Sequence, residues 1–219
     1  SFEAATKILK LYPQMAHKIL VHCHNLRFMR AMQDTLVARK CTTFNSYHLA
    51  AHGLFSNYLM QHFKDTSFKD VVILAGFGRF GQTILEALQN YAEDEIDTVA
   101  IIDVDAERRI LVAEEQTQLT NFCRKEIFQG DIAHPDVWRQ LRTKVDLAGG
   151  EPVVILGTGR VEENLRTALW LKNKYPNCKV FARTNHTSAF AGDVADDHQI
   201  LSISITQLVE ENLPQDWLS

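Results

Sequence analysis

Three closely spaced glycines are the residues of this chain with the clearest chemical potential. Gly76, Gly78 and Gly81 directly follow the aliphatic run VVILA (71–75) and open a segment with helical periodicity. Between a strand and a helix, glycines allow a tight turn, a close approach of a diphosphate to backbone N–H groups, and close helix–strand packing. The spacing predicts a phosphate-binding loop at residues 76–81. The alternative is a plain glycine-rich turn.

A carboxylate follows at the position where such a loop requires one. Asp103 ends the run TVAII, about 20 residues beyond the glycines, where an acidic side chain binds the hydroxyls of an adenosine ribose. A ribose 2′-phosphate would be repelled there, so the pattern favours NAD or an adenine nucleotide over NADP. Asp105 takes this role if the strand extends further, and a solvated loop end is the other interpretation. We expect Asp103→Ala to weaken adenosine ligands while the fold stays intact.

Polar and glycine residues also follow the later predicted strands. Asp131 comes after IFQG and could contact the adenine side of a ligand or cap the helix that begins near HPDVW. Gly157 and Gly159 bring backbone close to the same edge of the sheet. Arg183 ends the fifth strand and could contact a phosphate or a partner, or form a surface ion pair. These positions extend the predicted site along the carboxyl ends of the strands.

The residues present do not favour a metal site or a catalytic site. His22 and His24, and His48 and His52, have spacings that can hold a metal, but no third ligand accompanies either pair. Paired catalytic carboxylates, a nucleophile motif and a Walker lysine are not apparent in the sequence. We therefore predict neither a metal site nor catalytic residues.

Short aliphatic strands alternate with helical segments over residues 71–219. Such alternation predicts a doubly wound α/β fold with a parallel, Rossmann-like sheet covered on both faces. The predicted strands are 71–75, 98–103, 125–129, 152–156, 178–183 and 199–204, and the predicted helices are 80–91, 106–119, 135–142, 161–174, a short one near 187–194, and 206–213.

The chain also contains a partial internal repeat. Residues 2–25 resemble residues 165–186, since both read as an amphipathic helix, Tyr-Pro, a turn and a buried strand. We predict that residues 1–63 are the C-terminal part of a first Rossmann copy, that 64–70 form a linker, and that 71–219 form a complete second copy.

The charge and amino-acid composition of the chain limit the kinds of binding partner and cellular environment that we expect. The 23 Lys and Arg residues against 27 Asp and Glu residues give a net charge of −4 without long runs of either sign, which disfavours nucleic-acid binding. Four scattered cysteines fit a reducing compartment. The sequence shows neither a signal peptide nor a membrane-spanning run of apolar residues, so we expect a soluble domain.

The motifs GFGRFGQ, IIDVDAERR, QGDIAHPDVW and KVFARTNH, in this order, resemble the regulator of potassium conductance family (RCK, also called KTN or the TrkA N-terminal domain). The resemblance covers about residues 69–219. It implies a Rossmann domain that performs no chemistry and binds NAD, NADH or an adenine nucleotide such as AMP, ADP or ATP. The implied binding residues are Gly76, Phe77, Gly78, Arg79, Phe80, Gly81, Asp103, Val104, Asp131, Ile132, Gly157, Thr158 and Arg183.

The resemblance also implies partners. Such domains pair as homodimers or larger rings and act on a membrane-embedded potassium channel or transporter, which places them at the cytoplasmic face of the membrane. The segment 114–126 is longer than in relatives, and GTGR (157–160) stands where acidic residues are common. The alternatives are a fragment of an NAD-dependent oxidoreductase that lacks its substrate domain, and a purely structural assembly domain.

Overall fold

The computed structural model describes residues 2–117, 119–184, 193–195 and 197–217. The helices are α1 (Phe2–Leu11), α2 (Leu26–Ala31), α3 (Leu36–Lys40), α4 (Ser46–Leu54), α5 (Met60–Asp65), α6 (Arg79–Ala92), α7 (Ala106–Thr117), α8 (Pro135–Leu141), α9 (Val161–Lys174) and α10 (Ile205–Glu211). The strands are β1 (Leu20–His22), β2 (Thr42–Phe44), β3 (Asp70–Ala75), β4 (Ile96–Asp103), β5 (Arg124–Gln129), β6 (Val153–Leu156), β7 (Lys179–Arg183) and β8 (Leu201–Ile203).

Six of the strands form one parallel sheet with the order β5-β4-β3-β6-β7-β8. This order confirms the predicted doubly wound, Rossmann-like fold. The winding reverses between β3 and β6, where Ala75 pairs with Leu156 and the N–H of Gly157 donates to the carbonyl of Ala75 at 2.7 Å. Ligands of open α/β sheets bind at this reversal, outside the carboxyl ends of the strands.

The central strands β3 and β6 are apolar on both faces because helices cover both, whereas the edge strand β5 is largely polar. Along β3, Val72 and Leu74 face a core built with α4, α5, α6, α7 and α10, whereas Ile73 and Ala75 face a core built with α8 and α9. Successive strand residues point to opposite faces, so a fully buried strand needs a continuous apolar run. The run VVILA satisfies this requirement.

The strand boundaries largely follow the predictions, with one instructive difference at β8. Gln199 has a left-handed backbone with φ of 55°, so the strand begins at Leu201 and not at residue 199. Most of the short helix predicted near 187–194 lies outside the described residues.

Residues 2–65 form a smaller unit that repeats the order of the last elements. β1 and β2 pair in parallel, and the sequence α1, β1, β2, α4 corresponds to α9, β7, β8, α10. A separate small core lies around Ala5, Leu9, Val21, Val37 and Cys41. The division of the chain into a partial and a complete copy stays a prediction.

Helix α4 joins the two units. It packs on α6 and α10, and a Cβ atom on Gly53 would lie 2.3 Å from the side chain of Asn212. A π-helical turn, Phe55–Leu59, separates α4 from α5. Leu54, Phe55 and Phe63 belong to the same core as the six-stranded sheet, so this helical segment packs as part of the larger unit. None of the described helices is long and apolar enough to cross a bilayer.

A buried histidine lies where α5 meets the amino end of the sheet. His62 has a side chain only 5% exposed, with Nε2 3.9 Å from Asp70 Oδ1 and Nδ1 4.0 Å from Glu151 Oε2. Its Nε2 has no hydrogen-bond partner among the described residues. Burial, aided by the charge of Lys179, lowers the pKa of His62, because the charged form loses its hydration.

We expect the free energy of unfolding to decrease as the pH falls below about 6.5. A histidine with a depressed pKa in the folded state binds more protons when unfolded, so its contribution is complete above the unfolded value of 6.5 and is lost below it. Burial also lowers the pKa of His22 and His48, which adds to the effect. Each histidine contributes at most about 1.4 kcal/mol per pH unit.

Urea denaturation of the wild type and of His62→Gln between pH 7.5 and 5.5 measures this dependence. The variant should show the shallower pH dependence. Burial raises the pKa of Asp70, so this carboxyl contributes a pH dependence of the opposite sign to that of His62. Equal slopes for the two proteins would show that His62 titrates normally.

Candidate functional site

The predicted loop forms a turn that only glycine fits at two positions. Gly76 has φ of 98°, and its N–H donates to the carbonyl of Ile102 at 2.8 Å. A Cβ atom on Gly76 would lie 2.7 Å from the amide nitrogen of Thr158, and one on Gly81 would lie 2.4 Å from the carbonyl oxygen of Gly76. A side chain at either position would displace backbone, so these glycines are required by packing alone.

The amino end of α6 faces the loop without a side-chain cap. Gly78 is the N-cap residue and provides no side-chain hydrogen bond to the first turn. The first N–H groups of a helix lack intrahelical acceptors and carry partial positive charge, which favours an anion. A Cβ atom on Gly78 would have one close neighbour, Nη1 of Arg109 at 3.3 Å. Gly78 therefore keeps the approach to these N–H groups open.

A cavity of about 590 Å³ opens beside this loop at the carboxyl edge of the sheet. Its volume is within the usual range of small-molecule sites. All the predicted binding residues line it except Phe77 and Gly81. The complete lining is Tyr47, Gly76, Gly78, Arg79, Phe80, Ile102, Asp103, Val104, Arg109, Gly130, Asp131, Ile132, Gly157, Thr158, Gly159, Arg160 and Arg183. Phe77 is fully buried and contributes through its backbone, and Gly81 contributes through helix packing.

Asp103 ends β4 with a carboxylate that is already bonded to the protein. Oδ2 accepts the N–H of Phe77 at 2.7 Å, Oδ1 accepts the N–H of Asp105 at 3.0 Å, and Nε of Arg109 lies 3.2 Å from Oδ1. A carboxylate has about four acceptor sites, so it can still accept ribose hydroxyls. Asp105 lies outside the cavity lining and pairs with Arg108, which favours Asp103 as the residue that faces a ligand.

Asp131 does not cap α8, so that alternative is wrong. The N-cap residue is His134, and Asp131 Oδ1 instead accepts the N–H of Ala133 at 2.9 Å within the preceding turn. The same oxygen pairs with Nη2 of Arg160 at 2.5 Å. The Arg160 guanidinium, together with the Ala133 N–H, holds the pKa of Asp131 below its ordinary value. Asp131 is therefore a charged group that positions Arg160 at the cavity rim.

Asn164 in α9 connects the carboxyl ends of strands β6 and β7. Its side chain is fully buried, and Nδ2 donates to the carbonyls of Thr158 and Arg183, both at 3.0 Å. Its Oδ1 accepts the Thr158 hydroxyl at 2.6 Å. A lone asparagine in a helical pattern gives no sequence signal for this role, because the contact depends on how α9 packs against β6 and β7.

The charges around the cavity favour an anionic ligand. Four guanidinium groups face two carboxylates, which leaves an excess of two positive charges. Positively charged clefts attract anions, and guanidinium groups bind phosphate oxygens in bidentate geometry. The four arginines are Arg79, Arg109, Arg160 and Arg183, and the carboxylates are Asp103 and Asp131.

Three side chains of the lining that can contact a ligand were not among the predicted binding residues, namely Tyr47, Arg109 and Arg160. Arg109 lies in α7 and Arg160 is the N-cap residue of α9, so both follow strands at helix starts, a signal that could have identified them. Tyr47 belongs to α4, far from the loop in sequence, and the Arg79 guanidinium lies 5.0 Å from the centre of its ring. The Thr83 hydroxyl oxygen also lies 3.2 Å from the Tyr47 carbonyl oxygen. Tyr47 is thus held over the loop by tertiary contacts.

The histidine pairs lie apart from this cavity. His22 Nε2 is 2.8 Å from the Ser46 hydroxyl, and the rings of His22 and His24 are 4.3 Å apart. In the described residues no group of three or more His, Cys, Asp or Glu side chains is arranged to hold a metal. Burial raises the pKa of Cys123 to about 11, so this thiol is unreactive at neutral pH.

Comparison with known proteins gives one family match. The TrkA-N domain matches residues 72–201, more than half of the chain. None of the curated proteins compared with the chain matches it. Among solved structures, a short chain alcohol dehydrogenase (rspB) from E. coli CFT073, complexed with the cofactor NADH, is 14% identical with a TM-score of 0.41. That alignment covers 75% of this chain and 45% of the dehydrogenase, so the chain spans less than half of that protein.

Proposed function

Because the chain belongs to the TrkA-N domain family, we propose that residues 71–219 form a regulatory domain that binds NAD, NADH or an adenine nucleotide. The observation that carries this proposal is the uncapped amino end of α6 behind Gly78, with the Asp103 carboxylate on one side. A diphosphate would accept the first-turn N–H groups, and the ribose hydroxyls would donate to Asp103. Arg79 and Arg109 supply cationic contacts for the phosphates.

We further propose that nucleotide occupancy acts on a membrane-embedded potassium channel or transporter at the cytoplasmic face. A ligand shifts an equilibrium between two arrangements only by its difference in affinity for them. Helix α4 connects the cavity with the protein core, because Tyr47 lines the cavity while Leu54 and Phe55 lie in the core of the six-stranded sheet. Ligand binding at Tyr47 can therefore favour one arrangement of that core. The family suggests that the domain works in a homodimer or larger ring.

The same cavity gives little support to the oxidoreductase alternative. Hydride transfer needs an acid or base beside the nicotinamide and a pocket for the substrate. Of the described lining residues, none is a histidine, lysine or cysteine, and both carboxylates are bonded to arginines. Tyr47 carries a hydroxyl, but its ring faces the Arg79 guanidinium. Binding without turnover is the proposed behaviour.

Ligand binding and turnover can be measured on the same protein. We expect NAD, NADH, AMP, ADP or ATP to raise the melting temperature and to give a saturable binding heat by calorimetry, since a ligand that binds only the folded state stabilises it. NADP should bind more weakly than NAD because of Asp103. The absorbance of NADH should stay constant with a panel of alcohols and hydroxy acids.

The variant Gly78→Asp tests whether the nucleotide binds at the amino end of α6. The backbone of Gly78, with φ of −76°, accepts any residue, and aspartate is a preferred N-cap whose carboxylate bonds to the first-turn N–H groups. The variant should keep or gain thermal stability and lose nucleotide binding. If it binds as tightly as the wild type, the nucleotide does not use the amino end of α6. Formation of NADH from NAD with any alcohol would instead favour the oxidoreductase.

A further inference from the structure

A second cavity of about 300 Å³ lies between the smaller sheet and helix α6. It opens at the carboxyl ends of β1 and β2, the edge at which α/β sheets bind ligands. Its lining is His24, Asn25, Leu26, Arg27, Arg30, Asn45, Tyr47, Arg79, Gln82, Thr83, Glu86 and Val112. The two units of the chain therefore enclose a space that neither would form alone.

Several polar side chains around this cavity are engaged in holding the fold. Asn45 donates to the Cys23 carbonyl at 2.7 Å and accepts the N–H of Tyr47 at 2.9 Å. Asn25 caps α2, and Gln82 donates to the Phe77 carbonyl at 3.3 Å. Recognition of a ligand is therefore left mainly to the charged side chains.

Those charges are predominantly positive. Arg27, Arg30 and Arg79 line the cavity, and Glu86 is the carboxylate among the described lining residues. Arg30 forms an ion pair with Glu86, so that carboxylate neutralises one of the three guanidinium groups. Arg27 and Arg79 give an excess of two positive charges when Arg79, which also lines the first cavity, faces this one. This excess matches a ligand with two negative charges. Leu26, Val112 and the Tyr47 ring provide apolar surface for the carbon skeleton of such a ligand.

We propose that this second cavity binds a small organic dianion, either a phosphate monoester or a dicarboxylate. This site goes beyond the proposed nucleotide function and does not depend on it. Arg79 and Tyr47 belong to the walls of both cavities, and the cation–π contact between them separates the two spaces. Occupation of one site therefore changes the surroundings of the other, and any such coupling must be reciprocal.

Calorimetry with glycerol 3-phosphate and succinate as probes tests the site, with glycerol as the uncharged control. We expect at least one of the two anions to bind the wild type. Arg27→Glu should weaken that binding at least about tenfold, because it reverses the charge of a guanidinium that is not paired with Glu86, the carboxylate among the described lining residues. AMP affinity should change less than about twofold in this variant, since Arg27 lines the second cavity alone. Arg139→Glu, which makes the same change of charge on the exposed surface of α8, is the matched control.

Gly78→Asp is the complementary variant, because it should affect the nucleotide cavity and not the second cavity. It blocks the amino end of α6 in the nucleotide cavity and should leave binding of the anion unchanged. Loss of anion binding in Gly78→Asp but not in Arg27→Glu would place the anion in the nucleotide cavity and overturn the proposal. Failure of both anions to bind the wild type at about 10 mM, roughly the weakest affinity of interest for a metabolite, would also overturn it.

Discussion

Replacement of Asp103 with alanine will weaken the binding of adenosine ligands about 10- to 100-fold and will also destabilise the fold. Loss of charge-assisted hydrogen bonds costs about 1.5–3 kcal/mol, and each 1.4 kcal/mol is a factor of ten in affinity. The second effect corrects the sequence-based expectation of an intact fold. Asp103 accepts the N–H of the buried Phe77, and leaving this group unsatisfied costs about 1–3 kcal/mol.

The variant Asp103→Asn distinguishes the role of the carboxylate in the fold, where it accepts the Phe77 N–H, from its role in binding the ribose. The amide oxygen can still accept the Phe77 N–H, so this variant should be more stable than Asp103→Ala in urea denaturation. Arg109 then has no carboxylate at 3.2 Å and can pair with a ribose 2′-phosphate. The preference for NAD over NADP should therefore shrink at least about tenfold. An unchanged preference in competition calorimetry would remove Asp103 from the ribose site.

Gly81→Ala will lower the stability of the protein by about 3 kcal/mol, at the upper end of the usual range for overpacking. The new methyl group would lie 2.4 Å from the carbonyl oxygen of Gly76, which is backbone and cannot rotate away. Alanine is the better helix former by about 0.5–1 kcal/mol, but the clash outweighs this gain. We expect the melting temperature to fall by about 6–12 °C, given 2–4 °C per kcal/mol for a chain of this size.

The same substitution should also reduce nucleotide affinity, although Gly81 does not line the cavity. Relief of the clash moves α6 away from the loop, and the first-turn N–H groups move with it. Gly159→Ala is the matched control, because a Cβ atom there would meet nothing within 4 Å. Its stability should stay within about 0.5 kcal/mol of the wild type. Equal melting temperatures for Gly81→Ala and the wild type would contradict the packing role.

Much of the lining of the cavity beside α6 could be predicted because its signals are local in sequence. The glycine spacing after β3 and the position of Asp103 at the end of β4 depend on strand periodicity and on turn geometry, both of which short segments specify. Asp131 shows where this reasoning stops. An aspartate before a helix reads as a cap, whereas the actual N-cap residue is His134 and Asp131 bonds to Arg160.

Asn164 was missed because its role depends on remote elements, since it ties β6 to β7 only because α9 packs across both strands. Arg109 is a different case, because it lies six residues after Asp103 at the start of the next helix. Gln199 shortened a predicted strand through one left-handed backbone angle, a change that periodicity does not reveal.

The sequence by itself determined the alternation of strands and helices, the glycine-rich turn after β3 and the acidic residue at the end of β4, because hydrophobic periodicity and glycine spacing act within a few tens of residues. Only the tertiary structure decided that Tyr47 lies over the loop and that Arg30 pairs with Glu86 beside a second cavity. These contacts join segments that are far apart in the chain. They arise when α4 and α2 pack against α6, and packing of that kind is set by the complementary shapes of whole elements and not by any one motif.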